Sequence, residues 1–195
     1  MNSKLRILAV ALILIGLPLF AWYFLNAGTR MRKEAMGSLK PKDAVQHFQN
    51  TSSDNLIITE DSLKGARSLV ALIAADSQAT EHVDIVLRLR KQSSEEFNLR
   101  TLIVAGQNFG ENIDYLNSKF GFSTSSSDFR VCYMAASHVF PFGNSVFNVP
   151  SDYKDQSIAI LVDDQLQIRN FYKLSDPQDV KLLVRHLPVF LSLKK

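Results

Sequence analysis

The pattern of apolar and polar residues divides the chain into a long N-terminal apolar segment and a body of shorter alternating elements. The segment Ile7–Leu25 contains no charged residue and is long enough for about 28 Å of α-helix. We therefore predict one membrane-spanning helix through residues 7–25. The corresponding domain division is an anchor with its basic flank at 1–33, a stalk at 34–43 and a folded domain at 44–195.

A buried helix of a soluble core and a cleaved signal peptide are the two alternatives to a membrane span. Uninterrupted apolar segments of this length are uncommon in soluble cores. Lys4 and Arg6 precede the segment as they do in signal peptides, but cleavage after Ala27 would place Leu25 where a small residue is preferred. An uncleaved signal anchor is therefore favoured.

The body of the chain alternates strand-like and helix-like segments, which is typical of an α/β domain. The continuous apolar segments Ser68–Ala75 and Leu99–Ala105 predict strands that are covered on both faces. A helix at Thr80–Gln92, capped by Asp76 or Ser77, is predicted after the first of them. The remaining predicted elements are a strand at Leu56–Thr59, a turn at Leu63–Gly65, a helix at Glu111–Phe120 ended by Gly121, a serine-rich loop at Ser123–Ser127, a strand at Arg130–Met134, and a hairpin of Ile158–Val162 and Gln167–Tyr172.

A last amphipathic helix begins at Ser175, whose spacing to Gln178 matches a capping box, and Pro188 is expected to bend or end it. The 3.6-residue period also predicts which helical side chains are buried. They are Val83, Val86 and Leu87, with Arg90 at the end of that face, and Val180, Leu183, Val184 and Leu187 in the last helix.

Charge and cysteine content exclude several classes of function. Five of the 22 Lys and Arg residues and none of the 19 Asp and Glu residues lie in positions 1–33, so the rest of the chain is slightly acidic. A body without excess positive charge disfavours nucleic-acid binding. Cys132 is the single cysteine, which excludes an internal disulfide, a CxxC redox couple and a zinc site with several cysteines.

The order of these elements resembles the SCO/SenC branch of the thioredoxin-like proteins. Phe48 followed by Asp54–Ile73 (DNLIITEDSLKGARSLVALI) resembles the opening segment of that family, and Ser157–Tyr172 (SIAILVDDQLQIRNFY) resembles its closing hairpin. Asn112–Gly121 resembles the helix before its third strand. The resemblance covers Gln46–Leu187 and implies a thioredoxin-like central sheet with flanking helices, preceded by one N-terminal transmembrane helix.

The family's metal ligands have no counterpart in this sequence. In the SCO proteins that this sequence resembles, copper is bound by a CxxxC pair after the first central strand and by a histidine before the closing hairpin. The matching positions are Asp76, Thr80 and Gln156, and Leu166 replaces the glycine of the hairpin. Cu(I) prefers thiolate, thioether and imidazole ligands. We therefore expect neither copper nor another cofactor at these positions.

Cys132, Met134 and His138 are the one cluster of soft ligands in the sequence. Alternate residues of a strand share a face, so Cys132 and Met134 point the same way and His138 could approach from the following loop. This is a surrogate Cu(I) site, or alternatively two ordinary core residues beside an unrelated histidine. The second interpretation is favoured.

The remaining polar candidates are interpreted as having ordinary structural roles. Asp76, Glu81 and Asp84 suggest a carboxylate metal site, but acidic residues near a helix N-terminus also stabilise the helix dipole. His82 is interpreted as a surface residue. His47 has no partner nearby in sequence, and His186 is expected to interact with the dipole of a helix C-terminus.

An aromatic segment, Phe140–Phe147 (FPFGNSVF), is predicted to form a loop. Its phenylalanines Phe140, Phe142 and Phe147 either cap the core or contact a membrane or a partner. The core interpretation is favoured, because such residues more often cover a core.

Orientation in the membrane is indicated by two conflicting signals. Arg30, Arg32 and Lys33 after the span favour a cytoplasmic C-terminal side, whereas a short basic N-terminal tail usually stays inside. The resemblance favours a domain exported to the periplasm or its equivalent.

The function expected from the sequence is that of a membrane-anchored, non-redox binding or assembly protein, with a role in cytochrome oxidase biogenesis implied by the resemblance. Its partners would be the membrane, through residues 7–25, and a protein of unknown identity. One alternative is a copper carrier that uses Cys132, Met134 and His138. Another is an enzyme with a site around Asp76 and Gln156, although the chain carries no recognisable catalytic motif.

Overall fold

The computed structural model describes residues 12–94, 99–106 and 128–193. It divides into two compact units, Met1–Gly37 and Ser38–Lys195. The predicted helix at Glu111–Phe120, its end at Gly121 and the serine-rich loop lie outside the described residues, so these expectations stay predictions.

The N-terminal unit is helical. A π-helical turn at Leu12–Gly16 continues into helix α1 (Leu17–Ser38). The apolar side chains from Leu12 to Leu25 are exposed, and the helix is long and apolar enough to cross a membrane. The helix continues beyond the predicted span at Leu25 and through the residues assigned to the basic flank. The predicted boundaries at 33 and 43 stay predictions.

The second unit contains a six-stranded sheet and a separate two-stranded hairpin. The strands are β1 (Asp43–Ala44), β2 (Gln49–Thr51), β3 (Ile57–Thr59), β4 (Arg67–Ile73), β5 (Leu99–Gly106), β6 (Phe129–Met134), β7 (Ile158–Val162) and β8 (Gln167–Lys173). The sheet has the order β1-β8-β7-β4-β5-β6, and β2 pairs with β3. Strands β4, β5 and β6 are parallel, β7 runs antiparallel to β4, and β8 runs antiparallel to β7.

Two apolar clusters cover the two faces of the sheet. Helices α2 (Ala79–Ser94) and α4 (Pro177–Ser192) cover one face, and α3 (Ala136–Phe147) and the β2–β3 hairpin cover the other. Leu69 and Ile73 of β4 point into the first cluster, and Val70 and Leu72 point into the second. This alternation explains why the sequence of β4 is apolar at consecutive positions.

The predicted β-α-β core is confirmed, and the strand boundaries agree within about two residues. The predicted turn at Leu63–Gly65 is also present, and Gly65 has a φ of +81°, which favours glycine. In the β7–β8 turn Leu166 has a φ of +63°. At the position that matches the family's hairpin glycine, this chain therefore has a left-handed backbone conformation with a leucine, which adopts that conformation less easily than glycine.

The start of the last helix differs from its prediction. Asp176, not Ser175, is the N-cap, because its carboxylate accepts the Gln178 backbone N–H at 2.8 Å and Pro177 occupies the first helical position. Val184 is exposed rather than buried. His186 takes part in the buried face together with Leu183 and Leu187.

Pro188 neither ends this helix nor separates the last residues from the core. Helix α4 runs on to Ser192, and Phe190 and Leu191 are buried. The Arg67 guanidinium donates hydrogen bonds to the carbonyl oxygens of Leu191 and Leu193. These bonds satisfy carbonyls at the helix end that have no partner within the helix.

The aromatic segment is helical, which corrects the predicted loop. Residues 140–147 form most of α3, with Pro141 inside it. The buried residues Val139, Gly143, Val146 and Phe147 have helical spacing, and Phe147 is fully buried. Phe140 and Phe142 are partly buried against the second cluster, in agreement with the core interpretation.

Candidate binding cleft

A cleft of about 200 Å³ lies at the carboxyl end of the central strand β4. Its walls come from the connection between β4 and α2, the first turns of α3, and the loop before β7. The described lining residues are Leu72, Ala74, Ala75, Asp76, Ala136, Val139, Phe140, Asp155, Gln156 and Ile158. Crevices outside the carboxyl ends of parallel strands are the usual ligand sites of open α/β sheets.

Asp76 is held in place by the start of α2. Its Oδ1 accepts a hydrogen bond from the Gln78 backbone N–H at 2.9 Å, and its backbone carbonyl accepts one from the Ala79 N–H at 3.3 Å. The side chain is 40% exposed. The carboxylate therefore has a fixed position at the edge of the cleft while still facing solvent.

Asp155 and Gln156, in the loop before β7, also line the cleft. Asp155 has a φ of +57°, and the Gln156 side chain donates to the Asp152 carbonyl at 3.3 Å. The next residue, Ser157, is buried and accepts the Ala74 N–H through its Oγ at 3.0 Å. This bond ties the loop before β7 to the exit of β4.

His82 lies behind Asp76 and is only 2% exposed, which contradicts its interpretation as a surface residue. Its Nδ1 is 3.9 Å from Asp76 Oδ1 and has no hydrogen-bond partner among the described residues. The signal for this burial was present in the sequence. His82 follows Ala79 by three residues and precedes Val86 by four, so it lies on the buried face of α2.

The three positions that match the family's copper ligands are only partly brought together. Asp76 and Gln156 line the same cleft, whereas Thr80 is exposed on α2 and is not among the described lining residues. Carboxylate and amide oxygens are hard ligands and do not fit the preference of Cu(I). The described residues of the cleft thus do not fit the metal that the family resemblance implies.

Cys132 lies in the core on strand β6 and is 1% exposed. Burial, followed by the nearby negative charge of Asp54, raises the pKa of its thiol to about 12. The thiolate, the form that binds metals and attacks disulfides, is therefore strongly disfavoured. The Cys132 thiol therefore stays protonated, and its surroundings are apolar.

The two partners expected for Cys132 in the soft-ligand cluster have different surroundings. Met134 packs against the same apolar cluster as Cys132, whereas His138 is exposed in the first turn of α3. Across residues 12–94, 99–106 and 128–193, no group of three or more His, Cys, Asp or Glu side chains is arranged to hold a metal ion.

His186 and His47 have partners that sequence spacing did not indicate. His186 is buried in α4, and its Nδ1 lies 2.8 Å from the Tyr172 hydroxyl, so the expected interaction with a helix end is wrong. Burial lowers the pKa of His186. The exposed His47 contacts Glu60 at 2.6 Å, and that hydrogen bond raises the pKa of His47.

The acidic residues at and before the start of α2, Asp76, Glu81 and Asp84, do not form a common site. Glu81 is exposed in the first turn of the helix, and Asp84 pairs with Arg88 at 2.5 Å. Asp76 alone of the three lines the cleft.

Several solved structures are similar to this chain, although no family model and no curated protein matches its sequence. BsSco, a member of the Sco family of cytochrome c oxidase assembly proteins, aligns with a TM-score of 0.59 at 16% identity, over 80% of this chain and 98% of BsSco. A SCO1/SenC family lipoprotein from Bacillus anthracis gives a TM-score of 0.52 at 16% identity, over 76% and 96% of the two chains.

A third similar structure comes from a redox protein. The thioredoxin domain of a thiol-disulfide oxidoreductase from Bacteroides vulgatus aligns with a TM-score of 0.53 at 14% identity, over 79% of this chain and 99% of that domain. These identities establish the fold alone. The domain has the α/β thioredoxin-like fold that the sequence predicted, and its structural neighbours include proteins of the Sco family.

Proposed function

We propose that this chain is a membrane-tethered thioredoxin-like protein that acts by binding a protein partner, without thiol redox chemistry and without copper. The proposal rests on the state of the cysteine together with the lining of the cleft. The single cysteine is buried in β6 with a raised pKa, while the cleft at the end of β4 is lined by Asp76, Asp155 and Gln156.

The chemistry of thiol-disulfide exchange supports this choice. A dithiol oxidoreductase needs two cysteines, at least one of which is accessible as a thiolate. This chain has one cysteine, and it is inaccessible in the folded domain. The cleft instead offers apolar walls and oxygen ligands, which suit binding by contact.

The setting we propose is the assembly of a membrane complex, with cytochrome oxidase as the specific candidate. BsSco is described as a member of a family of cytochrome c oxidase assembly proteins, and the fold of this chain is similar to it. The apolar N-terminal helix supports a single-pass anchor. We place the C-terminal domain on the exported side of the membrane, in keeping with this setting.

A gene deletion with defined complementation tests the proposal. Loss of the chain should lower the amount of assembled cytochrome oxidase, and the wild-type chain should restore it. Cys132→Ser should restore assembly equally well, because the thiol has no part in the function. A chain without residues 1–37 should restore it poorly, since it is no longer held at the membrane.

Two results would contradict different parts of the proposal. Normal oxidase assembly in the deletion strain would remove the assembly role. A Cys132→Ser chain that accumulates to the wild-type level in folded form but fails to restore assembly would show that the thiol is functional.

A further inference from the structure

The cleft has the size of one long side chain rather than of a cofactor. Its volume of about 200 Å³ lies below the range of about 300–1,000 Å³ that is typical of pockets for small-molecule ligands. It corresponds to the space of roughly seven liquid waters. Leu72, Ala74, Val139, Phe140 and Ile158 supply apolar walls for an aliphatic stem.

Two acidic side chains line the cleft. They are Asp76, after β4, and Asp155, in the loop before β7, and the described lining residues include no lysine, arginine or histidine. An apolar cavity with carboxylates at its mouth is complementary to an aliphatic chain that ends in a cation.

His82 lies behind Asp76, on the buried face of α2, and is not among the described lining residues of the cleft. It is almost fully buried, its Nδ1 has no hydrogen-bond partner among the described residues, and that nitrogen lies 3.9 Å from Asp76 Oδ1. A buried polar atom without a partner is costly. The Asp76 carboxylate is 40% exposed and is therefore accessible to a cation at the mouth of the cleft.

We infer that the cleft binds a lysine or arginine side chain of the partner protein, with the aliphatic stem in the cavity and the charged end between Asp76 and Asp155. This inference rests on the proposed function and specifies the chemistry of the partner at that site.

Peptide titrations of the full chain in a nonionic detergent test the inference. The probes are short acetylated and amidated glycine–serine peptides with one central residue: lysine, its uncharged isostere norleucine, or glutamate. Saturable shifts of the backbone amide NMR signals of Ala75, Asp76 and Gln156 should appear with lysine. The affinity should fall by about twofold to fivefold with norleucine, the range that exposed ion pairs contribute.

Substitutions of the two cleft carboxylates show whether they cause the preference for the charged lysine peptide. Asp76→Asn and Asp155→Asn should each weaken the lysine peptide by about twofold to fivefold and leave norleucine unchanged. Asp164→Asn, in the turn beyond the other end of β7, is the matched control and should have no effect.

The inference is overturned if lysine and norleucine bind equally, if the shifts map elsewhere, or if no peptide causes shifts. None of these results affects the proposed function, which fails separately if oxidase assembly is normal without the chain or requires Cys132.

Discussion

Single residues explain how the domain accommodates polar groups inside a largely apolar core. Arg90, predicted as the polar end of a helix face, is buried and donates through Nη1 to the carbonyl oxygens of Leu99 and Asp128 at 3.1 and 2.8 Å. Its guanidinium also lies over the Phe129 ring, 5.2 Å from the centroid. One cation thus joins α2 to the starts of β5 and β6, which offsets part of the cost of its burial.

Gly143 is a residue at which a single added methyl group should be disruptive. A Cβ there would lie 2.3 Å from Leu72 Cδ1 and 3.3 Å from Val149 Cγ2. We expect Gly143→Ala to lower the free energy of unfolding by about 1–3 kcal/mol, because α3 or Leu72 must move. Urea denaturation measures this change.

Gly37→Ala is the matched control for that substitution. A Cβ at Gly37 meets nothing within 4 Å. Its unfolding midpoint for the domain should equal that of the wild type. Equal stability of Gly143→Ala and the wild type would show that the helix and β4 are not packed as closely as described.

The second prediction at this scale concerns the thiol of Cys132. Because burial raises its pKa to about 12, iodoacetamide should not alkylate it in the folded chain at neutral pH. Alkylation should become complete in denaturant, as mass spectrometry would show. Rapid alkylation of the native chain would mean that the thiol is accessible and would favour the carrier alternative.

At the scale of elements, the β7–β8 hairpin depends on one buried carboxylate. Asp163 is 3% exposed, and its Oδ1 accepts the backbone N–H groups of Gln165 and Gln167 at 2.9 and 2.8 Å. Its Oδ2 accepts from Arg169 Nε at 2.8 Å, and Arg169 also donates to the Leu39 carbonyl at 3.1 Å. The carboxylate thus replaces, in part, the turn preference that a glycine at Leu166 would provide.

Asp163→Ala should destabilise the domain by about 3 kcal/mol, because it leaves a partly buried guanidinium and two turn N–H groups without their acceptor. The measurement is the free energy of unfolding in urea. Asp164→Ala, at the neighbouring and more exposed position, should cost less than about 0.5 kcal/mol. Similar losses for the two variants would contradict the role assigned to Asp163.

The contact between β8 and α4 should make stability depend on pH. Burial, followed by the charge of Arg185, lowers the pKa of His186 below its ordinary value of 6.5, so the unfolded chain binds a proton more readily than the folded one. The stability from neutral His186 is therefore present above pH 6.5 and is lost as pH falls below it. In urea titrations, the advantage of the wild type over His186→Gln should shrink on acidification.

His47→Gln is the control with the opposite sign. Glu60 raises the pKa of His47, so its contribution is present at low pH and is lost as pH rises through the folded value. The difference between the wild type and His47→Gln should therefore shrink as pH rises. A stability advantage of His186 that grows on acidification would refute the assignment.

The sequence was sufficient for those elements whose signal is local or strongly periodic. The consecutive apolar residues of β4 and β5 and the spacing of Val83, Val86 and Leu87 identified the central β-α-β unit. Contacts between distant segments could not be predicted in this way. The Tyr172 hydroxyl that pairs with His186 lies on another element, and nothing in the local pattern of α4 indicates it.

The candidate site was predictable to a similar extent. The family resemblance located Asp76 and Gln156, which line one cleft, but it also included Thr80, which does not. The helical spacing of His82 indicates that the residue is buried, whereas its polar side chain favoured the surface interpretation, which is wrong. The position of Asp155 in the cleft depends on a left-handed backbone in the loop before β7, for which the sequence carries no strong marker.

At the scale of the whole molecule, the chain joins an exposed apolar helix to a thioredoxin-like domain whose cleft lacks cysteine among its described lining residues. This combination is the basis for a tethered protein that binds by contact. The copper carrier that uses Cys132, Met134 and His138 is the alternative with the most distinct prediction, since it requires one Cu(I) per chain.

A Cu(I) titration of the detergent-solubilised full chain against a competing chelator tests the central claim most directly. We predict no stoichiometric, high-affinity copper binding, and the same titration curve for the wild type and Cys132→Ser. Uptake of one Cu(I) per wild-type chain that disappears in a folded Cys132→Ser variant would contradict the account.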